Sequence, residues 1–219
     1  MKEVEVTRET YEQIAPTYAQ ISAIMGENLL EIAKQFLELL QSGAHILDVG
    51  CGPGRDMAWF ESRNINVTGV DFSSAMLEIA RTQVRGSLVQ TDMRKLPFEA
   101  HSRDGIWCNA SLLHLPKPDS PTALLEFKRV LKPNGIFFLA VQEGEGEHLE
   151  TREVYGENQR FFARYSVSEM TGLLEAAGFE ILDGYTHRTH DRIWIRFLAR
   201  AGNGGLALGF KLESRKPEP

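Results

Sequence analysis

The sequence of 219 residues predicts an α/β protein, in which a parallel sheet carries helices on both faces. Two observations support this class. Short apolar segments alternate along the chain with segments whose apolar residues recur at helical spacing, and such an alternation builds a parallel sheet. In addition, residues 136–141 are all apolar, which is typical of a strand that is covered on both faces.

Residues 1–42 are predicted to form an N-terminal helical cap. Within 7–24, apolar residues at helical spacing indicate one or two short helices that are broken at Pro16, because proline lacks the backbone N–H that a helix interior needs. A stronger helix over 28–41 carries an apolar stripe, and Gly43 ends it.

The main domain is expected to span residues 43–200. Ser73 or Ser74, Ser120 and Ser166 are each expected to cap a helix in it, since a serine side chain can accept a hydrogen bond from a free backbone N–H at the helix start. The predicted strands cover residues 46–49, 66–70, 88–90, 104–109, 136–141, 179–182 and 193–199.

Two stretches show neither pattern. Residues 142–165 are rich in Glu and Gly and are expected to be irregular. Residues 201–219 are Gly-rich and then charged, with two prolines, and are expected to be a disordered tail.

Composition narrows the function classes. The net charge is −6 and no run of Lys or Arg forms a phosphate-binding stripe, so no nucleic-acid partner is expected. The two cysteines, Cys51 and Cys108, are too few for a disulfide scaffold. No apolar run approaches the ~18 residues that span a bilayer, and the first residues lack the apolar core of a signal peptide. A cytoplasmic protein without a membrane partner is therefore expected.

The most informative stretch is the turn that follows residues 46–49. Glycines stand at alternate positions, Gly50, Gly52 and Gly54, where they let the backbone bend sharply and let a ligand approach closely. Asp48 lies just before the turn and favours a cationic amino group over a phosphate as the ligand. A glycine-rich turn in an unrelated α/β protein is the alternative.

Two other glycine motifs fit this turn poorly. The dinucleotide fingerprint G-x-G-x-x-G requires its third glycine where this chain has Arg55, whose side chain opposes close packing of helix on strand. The phosphate-binding G-x-x-x-x-G-K-[ST] loop is absent from the sequence. An NAD(P)-dependent oxidoreductase built on the same sheet remains an alternative that Arg55 disfavours.

The spacing Asp-x-Gly-x-Gly-x-Gly resembles the class I S-adenosylmethionine-dependent methyltransferases over roughly residues 43–200. Segments 96–98 and 129–135 are similar to the small-molecule branch of that family, and in particular to the ubiquinone-biosynthesis-type enzymes. The resemblance implies a Rossmann-like methyltransferase fold, with a seven-stranded, mostly parallel sheet and one antiparallel strand, and S-adenosyl-L-methionine as cofactor. In the enzymes of the family that methylate nucleic-acid bases, an Asn-Pro-Pro-aromatic motif stands at the position of Asn109. Here Asn109 is followed by Ala-Ser-Leu, which argues against a nucleic-acid base as the acceptor.

In such a sheet the ligand is expected at the carboxyl ends of the strands. A carboxylate at Asp71 can accept two hydrogen bonds from a ribose diol; its other role would be a favourable charge at a helix N-terminus. The resemblance implies that Asp92 accepts a hydrogen bond from the adenine amine and that Met93 packs on the ring, whereas a solvated loop aspartate is the alternative.

Three further residues near these strand ends each have two possible roles. Phe72 and Met76 either form an apolar slot for adenine or belong to the core. The resemblance implies that Asn109 offers a backbone carbonyl to the methionine ammonium, but an asparagine bonded only to protein is the alternative. The predicted cofactor-binding residues are Asp48, Gly50, Cys51, Gly52, Gly54, Arg55, Asp71, Phe72, Met76, Asp92, Met93 and Asn109.

The methyl acceptor is predicted to be a small molecule. His114 is a candidate base or substrate contact and Tyr18 a candidate wall of the methyl site, with packing roles as the alternatives for both. The resemblance implies that residues 142–165 are a variable insert on the substrate side. The candidate acceptor-binding residues are Tyr11, Arg160, Arg164 and Tyr165, and either arginine could hold an anionic acceptor or lie solvated on the surface.

The predicted reaction is an in-line methyl transfer that needs no metal, since the sequence contains no metal-ligand spacing such as HExxH. A non-catalytic protein that binds S-adenosylmethionine is a further alternative. The sequence makes no prediction of the acceptor atom or of the oligomeric state.

Overall fold

A computed structural model describes residues 2–189, 192–202 and 213–214. Its N-terminal part contains α1 (Lys2–Ile21) and α2 (Glu27–Glu38). Contrary to the expected break, α1 runs through Pro16 as one helix. Proline costs a helix interior about 3 kcal/mol, and the burial of Ile14 and Ala15 just before it shows that tertiary packing offsets this cost.

The predicted sheet is confirmed. The strands are β1 (His45–Val49), β2 (Asn66–Asp71), β3 (Ser87–Gln90), β4 (Arg103–Asn109), β5 (Leu131–Gln142), β6 (Glu147–Thr151), β7 (Gln159–Ala163), β8 (Phe179–Arg188), β9 (Ile193–Ala201) and β10 (Glu213–Ser214). The seven strands of the predicted sheet lie in the order β8-β9-β5-β4-β1-β2-β3, and β9 alone among them runs opposite to the other six. A two-residue strand, β10, pairs with the outer edge of β8, and β6 pairs with β7 in a separate hairpin.

Helices cover both faces of the sheet, as predicted, and each face has its own apolar core. One core includes Phe127 and Leu174, packed with Phe137 of β5. The other includes Phe36 and Phe60, which contact the buried Trp107 of β4. Besides α1 and α2, the helices are α3 (Arg55–Glu61), α4 (Ser74–Ala80), α5 (Ser120–Val130) and α6 (Val167–Ala176).

Two of the three predicted serine caps form. Ser73 accepts a hydrogen bond from Met76 N, and Ser166 accepts one from Glu169 N. Ser120 behaves differently: the cap position of α5 falls on Asp119, and the buried Ser120 hydroxyl pairs with the hydroxyl of Tyr165. A tertiary partner thus replaces the local one.

Residues 142–165, expected to be irregular, contain the β6–β7 hairpin. The hairpin lies on α1, because Thr10 Oγ1 donates to Gln159 O and Phe161 N donates to Thr7 Oγ1. Phe161 and Phe162 of β7 are both buried. The sequence pattern missed both strands because β6 is mostly exposed and neither strand alternates regularly.

Most of the tail expected at residues 201–219 lies outside the described residues. Of the described part of this tail, Ala201 ends β9, and Glu213 and Ser214 pair with Tyr185 and Thr186 of β8. Of the helices in the described ranges, none is both long and apolar enough to cross a membrane.

Candidate cofactor and acceptor site

A cavity of about 790 Å³, open to solvent, lies at the carboxyl ends of β1 to β4 and beneath α1. A smaller recess of about 330 Å³ adjoins it and shares Tyr18, Gly50, Gly52 and Asn109 with it. The cavity is lined by Val4, Thr7, Arg8, Tyr11, Tyr18, Val49, Gly50, Gly52, Val70, Asp71, Phe72, Ser73, Met76, Thr91, Asp92, Met93, Asn109, Ala110, Ser111, His114 and Leu115.

The glycine turn forms the floor between the two spaces. Gly50 and Gly52 have φ angles of 72° and 52°, in the left-handed region that glycine adopts without strain. A Cβ on Gly50 would lie 2.2 Å from Ser111 Cβ, whereas a Cβ on Gly52 would meet only Tyr18 Cε1, at 4.0 Å. Gly50 therefore serves packing, and Gly52 leaves room for a ligand.

Asp71, at the end of β2, holds the turn. Its Oδ2 accepts a hydrogen bond from Gly52 N at 2.8 Å, and its Oδ1 accepts one from Ser73 N at 2.9 Å. Burial raises the pKa of Asp71, and these backbone hydrogen bonds oppose that shift. Each oxygen keeps a further lone pair, so the half-buried carboxylate can bind the turn and a ligand hydroxyl together.

Asp48 lines the recess and is only 2 % exposed. Its Oδ2 is buried and has no hydrogen-bond partner among the residues that the structure describes. Burial, followed by the nearby carboxylate of Asp56, raises the pKa of Asp48 well above its usual range. A cationic group in the recess would supply the missing partner, because buried charges are normally paired.

Sequence reasoning missed Asp56, which lies beside Asp48 in the recess. Asp56 accepts hydrogen bonds from Trp107 Nε1 at 2.8 Å and Asn109 Nδ2 at 3.0 Å, and its other oxygen pairs with Arg55 Nε at 2.6 Å. Its place in the first turn of α3 carries only the general signal of a helix N-terminal acid. The side chain of Asn109 thus donates to Asp56.

Asp92 lines the cavity, but Arg94 also engages its carboxylate. Arg94 Nε lies 3.0 Å from both oxygens, and Arg94 Nη1 reaches Asp119 at 2.6 Å. Burial opposes ionisation of Asp92, yet the hydrogen bonds from Arg94 outweigh it and lower the pKa. The three predicted apolar residues at this end, Phe72, Met76 and Met93, line the same cavity.

At the α1 side of the cavity, His114 and Tyr11 form a hydrogen-bonded pair. Tyr11 Oη lies 3.0 Å from His114 Nε2, and His114 Nδ1 lies 2.7 Å from the carbonyl oxygen of Phe161. A carbonyl only accepts, so Nδ1 carries the proton and Nε2 accepts from the Tyr11 hydroxyl. Burial, aided by Arg160, lowers the pKa of His114 to about 3, which keeps the ring neutral.

The remaining predicted residues divide into two groups. Tyr18 lines both spaces and packs edge-on against Tyr11, with ring centroids 5.4 Å apart. Arg160 lies behind Tyr11, outside the lining of both spaces, and donates from Nη1 to the Tyr11 hydroxyl at 3.1 Å. Cys51 and Arg55 line the recess. The structure places Gly54, Arg164 and Tyr165 outside the lining of both spaces.

Each of these three outlying residues has a structural neighbour. A Cβ on Gly54 would lie 3.0 Å from Val84 Cγ1, so this glycine permits close helix packing. Arg164 forms an ion pair with Glu150 of β6. Tyr165 is fully buried and bonds to Ser120.

The fold and this site resemble those of the class I S-adenosylmethionine-dependent methyltransferases. A family model described as "Methyltransferase domain" matches residues 47–139, which contain the glycine turn and the strand-end carboxylates. The described residues contain no group of three or more His, Cys, Asp or Glu side chains that could hold a metal ion.

Named relatives agree with this class. Methyltransferase GfsG of Streptomyces halstedii is 31% identical over 170 residues, which cover 72% of this chain and 60% of GfsG. Demethylmenaquinone methyltransferase of Listeria welshimeri is 31% identical over 144 residues, or 60% of each chain. The chain thus spans about 60% of the length of these two curated relatives.

Among solved structures, the 1,6-didemethyltoxoflavin-N1-methyltransferase of Burkholderia thailandensis shares the fold, with a TM-score of 0.72 and 24% identity. The match covers 91% of this chain and 88% of that one.

Proposed function

We propose that this chain transfers a methyl group from S-adenosylmethionine to a small-molecule acceptor. The observation that carries the proposal is the pairing of two spaces at one sheet edge. A turn held by Asp71 opens onto the large cavity, and the adjoining recess contains the buried carboxylate of Asp48, whose Oδ2 has no hydrogen-bond partner among the described residues. This pairing suits a nucleoside that carries a separate cationic amino group.

The residues present fit that ligand. Asp71 would accept hydrogen bonds from the ribose hydroxyls, and Asp48 would pair with the amino group in the recess. Asp92 would accept from the adenine amine, with Phe72 and Met93 against the ring. Support for this orientation comes from the two linings, because Asp71, Asp92, Phe72 and Met93 line the cavity, whereas Asp48 lines the adjoining recess. The relative from Burkholderia thailandensis was solved with S-adenosylhomocysteine bound.

S-Adenosylmethionine, when bound, supplies a methyl carbon on a positively charged sulfur, whose release as a neutral thioether drives transfer. The chain mainly positions the reactants, a contribution that can reach ~7–11 kcal/mol in well-oriented systems. Tyr18 lies where cavity and recess meet and is proposed to wall the methyl site. We propose a reaction without a metal, which remains to be tested by activity in the presence of a chelator.

His114 is proposed to act through Tyr11 and not as a free base. Its Nε2 already accepts a hydrogen bond from the Tyr11 hydroxyl, so the acceptor meets that hydroxyl first. Tyr11 is therefore the proposed acceptor contact, and His114 and Arg160 orient it from behind.

The domain division follows the same reasoning. Residues 1–42 are proposed to be a cap, because α1 lines the cavity, and residues 142–165 an acceptor-side insert, because β7 holds His114 and Tyr11. The partner is proposed to be a small molecule. A cytoplasmic location is proposed on the two free, buried cysteines, Cys51 and Cys108, which suit a reducing compartment.

Calorimetry with S-adenosylhomocysteine tests the proposal, and we expect binding in the micromolar range. Asp48→Asn should weaken it, because the amide lacks the charge that pairs with the amino group. No heat with either S-adenosylhomocysteine or S-adenosylmethionine would refute the proposal, and saturable quenching by NADH would favour an oxidoreductase.

Methyl transfer itself requires a second measurement. Incubation with metabolite extracts and S-adenosylmethionine should yield a product heavier by one methyl group in mass spectra. Cofactor binding without any such product would favour a non-catalytic binding protein.

A further inference from the structure

Arg160 is a buried cation without an acidic partner among the described residues. Its exposed fraction is 5 %. No Asp or Glu oxygen of the described ranges lies within 4.0 Å of its guanidinium nitrogens, the limit for an ion pair. The guanidinium instead lies among three rings, with its carbon 5.5 Å from the Tyr11 centroid, 4.8 Å from Tyr155 and 5.1 Å from Phe162.

This arrangement leaves a positive charge incompletely compensated. Aromatic faces attract a guanidinium, but less strongly than a carboxylate with which it shares hydrogen bonds. Buried charges in proteins are normally paired, and a missing partner is costly. An anion on the cavity side of the Tyr11 hydroxyl would reduce that cost. Arg160 Nη1 lies 3.1 Å from the Tyr11 hydroxyl oxygen, so the positive charge of Arg160 would be close to the negative charge of such an anion.

The same wall offers no free base. The proton of Tyr11 is directed to His114 Nε2, and Nδ1 of His114 is committed to the carbonyl of Phe161. Arg192, whose guanidinium carbon lies 5.3 Å from the Phe162 ring centroid, is paired with Glu150. Removing a proton from a neutral acceptor would place a positive charge on His114, close to the unpaired charge of Arg160.

We propose that the acceptor binds as an oxyanion, from an acidic hydroxyl or a carboxyl group, beside the Tyr11 hydroxyl and in the field of Arg160. This proposal rests on the proposed function and names its substrate class. The oxygen lone pair forms the bond to the methyl carbon while the carbon–sulfur bond breaks, and the bonding pair stays on sulfur. No proton has to move, which agrees with a wall that has no free base. Ammonium acceptors are disfavoured by the same positive charge.

The test uses the full chain saturated with S-adenosylhomocysteine and three probes of similar shape: 4-nitrophenol, 4-nitrobenzoate and 4-nitroaniline. The absorbance of 4-nitrophenol also reports its ionisation. We expect at least one of the two acidic probes to bind about tenfold more tightly than 4-nitroaniline. If 4-nitrophenol is the better ligand, the class is acidic hydroxyls, and its bound pKa should fall; if 4-nitrobenzoate is, the class is carboxylates.

Arg160→Gln should remove this preference, whereas Arg164→Gln should leave it. Arg164 lies four residues along the same chain segment, but its guanidinium pairs with Glu150, so it is a matched control. Equal or tighter binding of 4-nitroaniline by the unmodified chain would overturn the proposal without any variant. Failure of both acidic probes to bind, or an unchanged preference in Arg160→Gln, would overturn it too.

The two proposals fail differently. Absence of S-adenosylhomocysteine binding in calorimetry would refute the methyltransferase function. Normal binding of S-adenosylhomocysteine together with a preference for 4-nitroaniline would refute only the oxyanion acceptor.

Discussion

The role of Asp71 can be tested by its replacement with alanine. The carboxylate accepts from Gly52 N at 2.8 Å and from Ser73 N at 2.9 Å, and it lines the cavity. Asp71→Ala therefore removes two contacts that shape the turn. If the proposed ribose contact is right, the variant also removes two hydrogen bonds to the ligand.

The magnitude follows from these contacts. A hydrogen bond to a charged group contributes about 1.5–3 kcal/mol net. Two such bonds to a ribose diol are worth at least about 3 kcal/mol, or roughly a 100-fold change in Kd. The variant should also lose about 1–3 kcal/mol of folding stability, because the N–H groups of Gly52 and Ser73 lose their acceptor.

Calorimetry with two ligands separates the two effects. S-Adenosylhomocysteine and its analogue without the ribose hydroxyls are each titrated into the unmodified chain and Asp71→Ala, which completes a double-mutant cycle. The variant should weaken the parent ligand roughly 100-fold more than the analogue. An equal loss for both ligands would refute the ribose contact, since it would mean that Asp71 acts only through the turn. Asp71→Asn keeps one oxygen acceptor, so its affinity for S-adenosylhomocysteine should lie between those of the unmodified chain and Asp71→Ala.

Three further predictions concern the turn, the acid response and the adenine end of the cavity. Gly50→Ala should lower the free energy of unfolding by about 3 kcal/mol in chemical denaturation, because it adds left-handed strain and a clash with Ser111, 2.2 Å away. His114 has a pKa near 3 in the fold against 6.5 normally, so its stabilising effect is full above pH 6.5 and is lost as the pH falls towards 3. Denaturation at pH 7 and pH 5 should show a loss of roughly 2 kcal/mol that His114→Gln lacks. Arg94→Gln should weaken S-adenosylhomocysteine about tenfold but leave S-inosylhomocysteine, which lacks the adenine amine, unchanged in calorimetry, because Asp92 loses its restraint.

Each of these has a control within the chain. Gly43 also has a positive φ, 78°, but its added Cβ would meet nothing within 4 Å, so Gly43→Ala should cost only the strain, about 1 kcal/mol. Equal losses at both glycines would contradict the clash. His148 is exposed, and His148→Gln should keep the acid response; a retained response in the His114 variant would contradict its assignment. Asp119→Asn leaves the Arg94–Asp92 contact in place and should bind S-adenosylhomocysteine normally, whereas equal weakening of both ligands by Arg94→Gln would argue against the adenine contact.

The sequence by itself determined the features that depend on local chemistry. The alternation of strands and helices predicted the sheet, and the glycines at 50 and 52 predicted a turn that only residues tolerant of positive φ can form. Ser73 and Ser166 were predictable as caps because a cap lies within three residues of its partner. Asp71 was predictable because it stands at a strand end, where the topology of a parallel sheet collects ligand-binding groups.

Only the tertiary structure decided which side chains meet across long stretches of chain. Tyr11 contacts His114 across 103 positions and Arg160 across 149. Asp56 receives Trp107 and Asn109 from a distant strand. No local pattern encodes these pairs, because each residue is acceptable by itself at an exposed helix or strand position. Their burial and charge balance arise when α1 and the β6–β7 hairpin close over the sheet edge, which turns Arg160 from an ordinary surface residue into a buried cation.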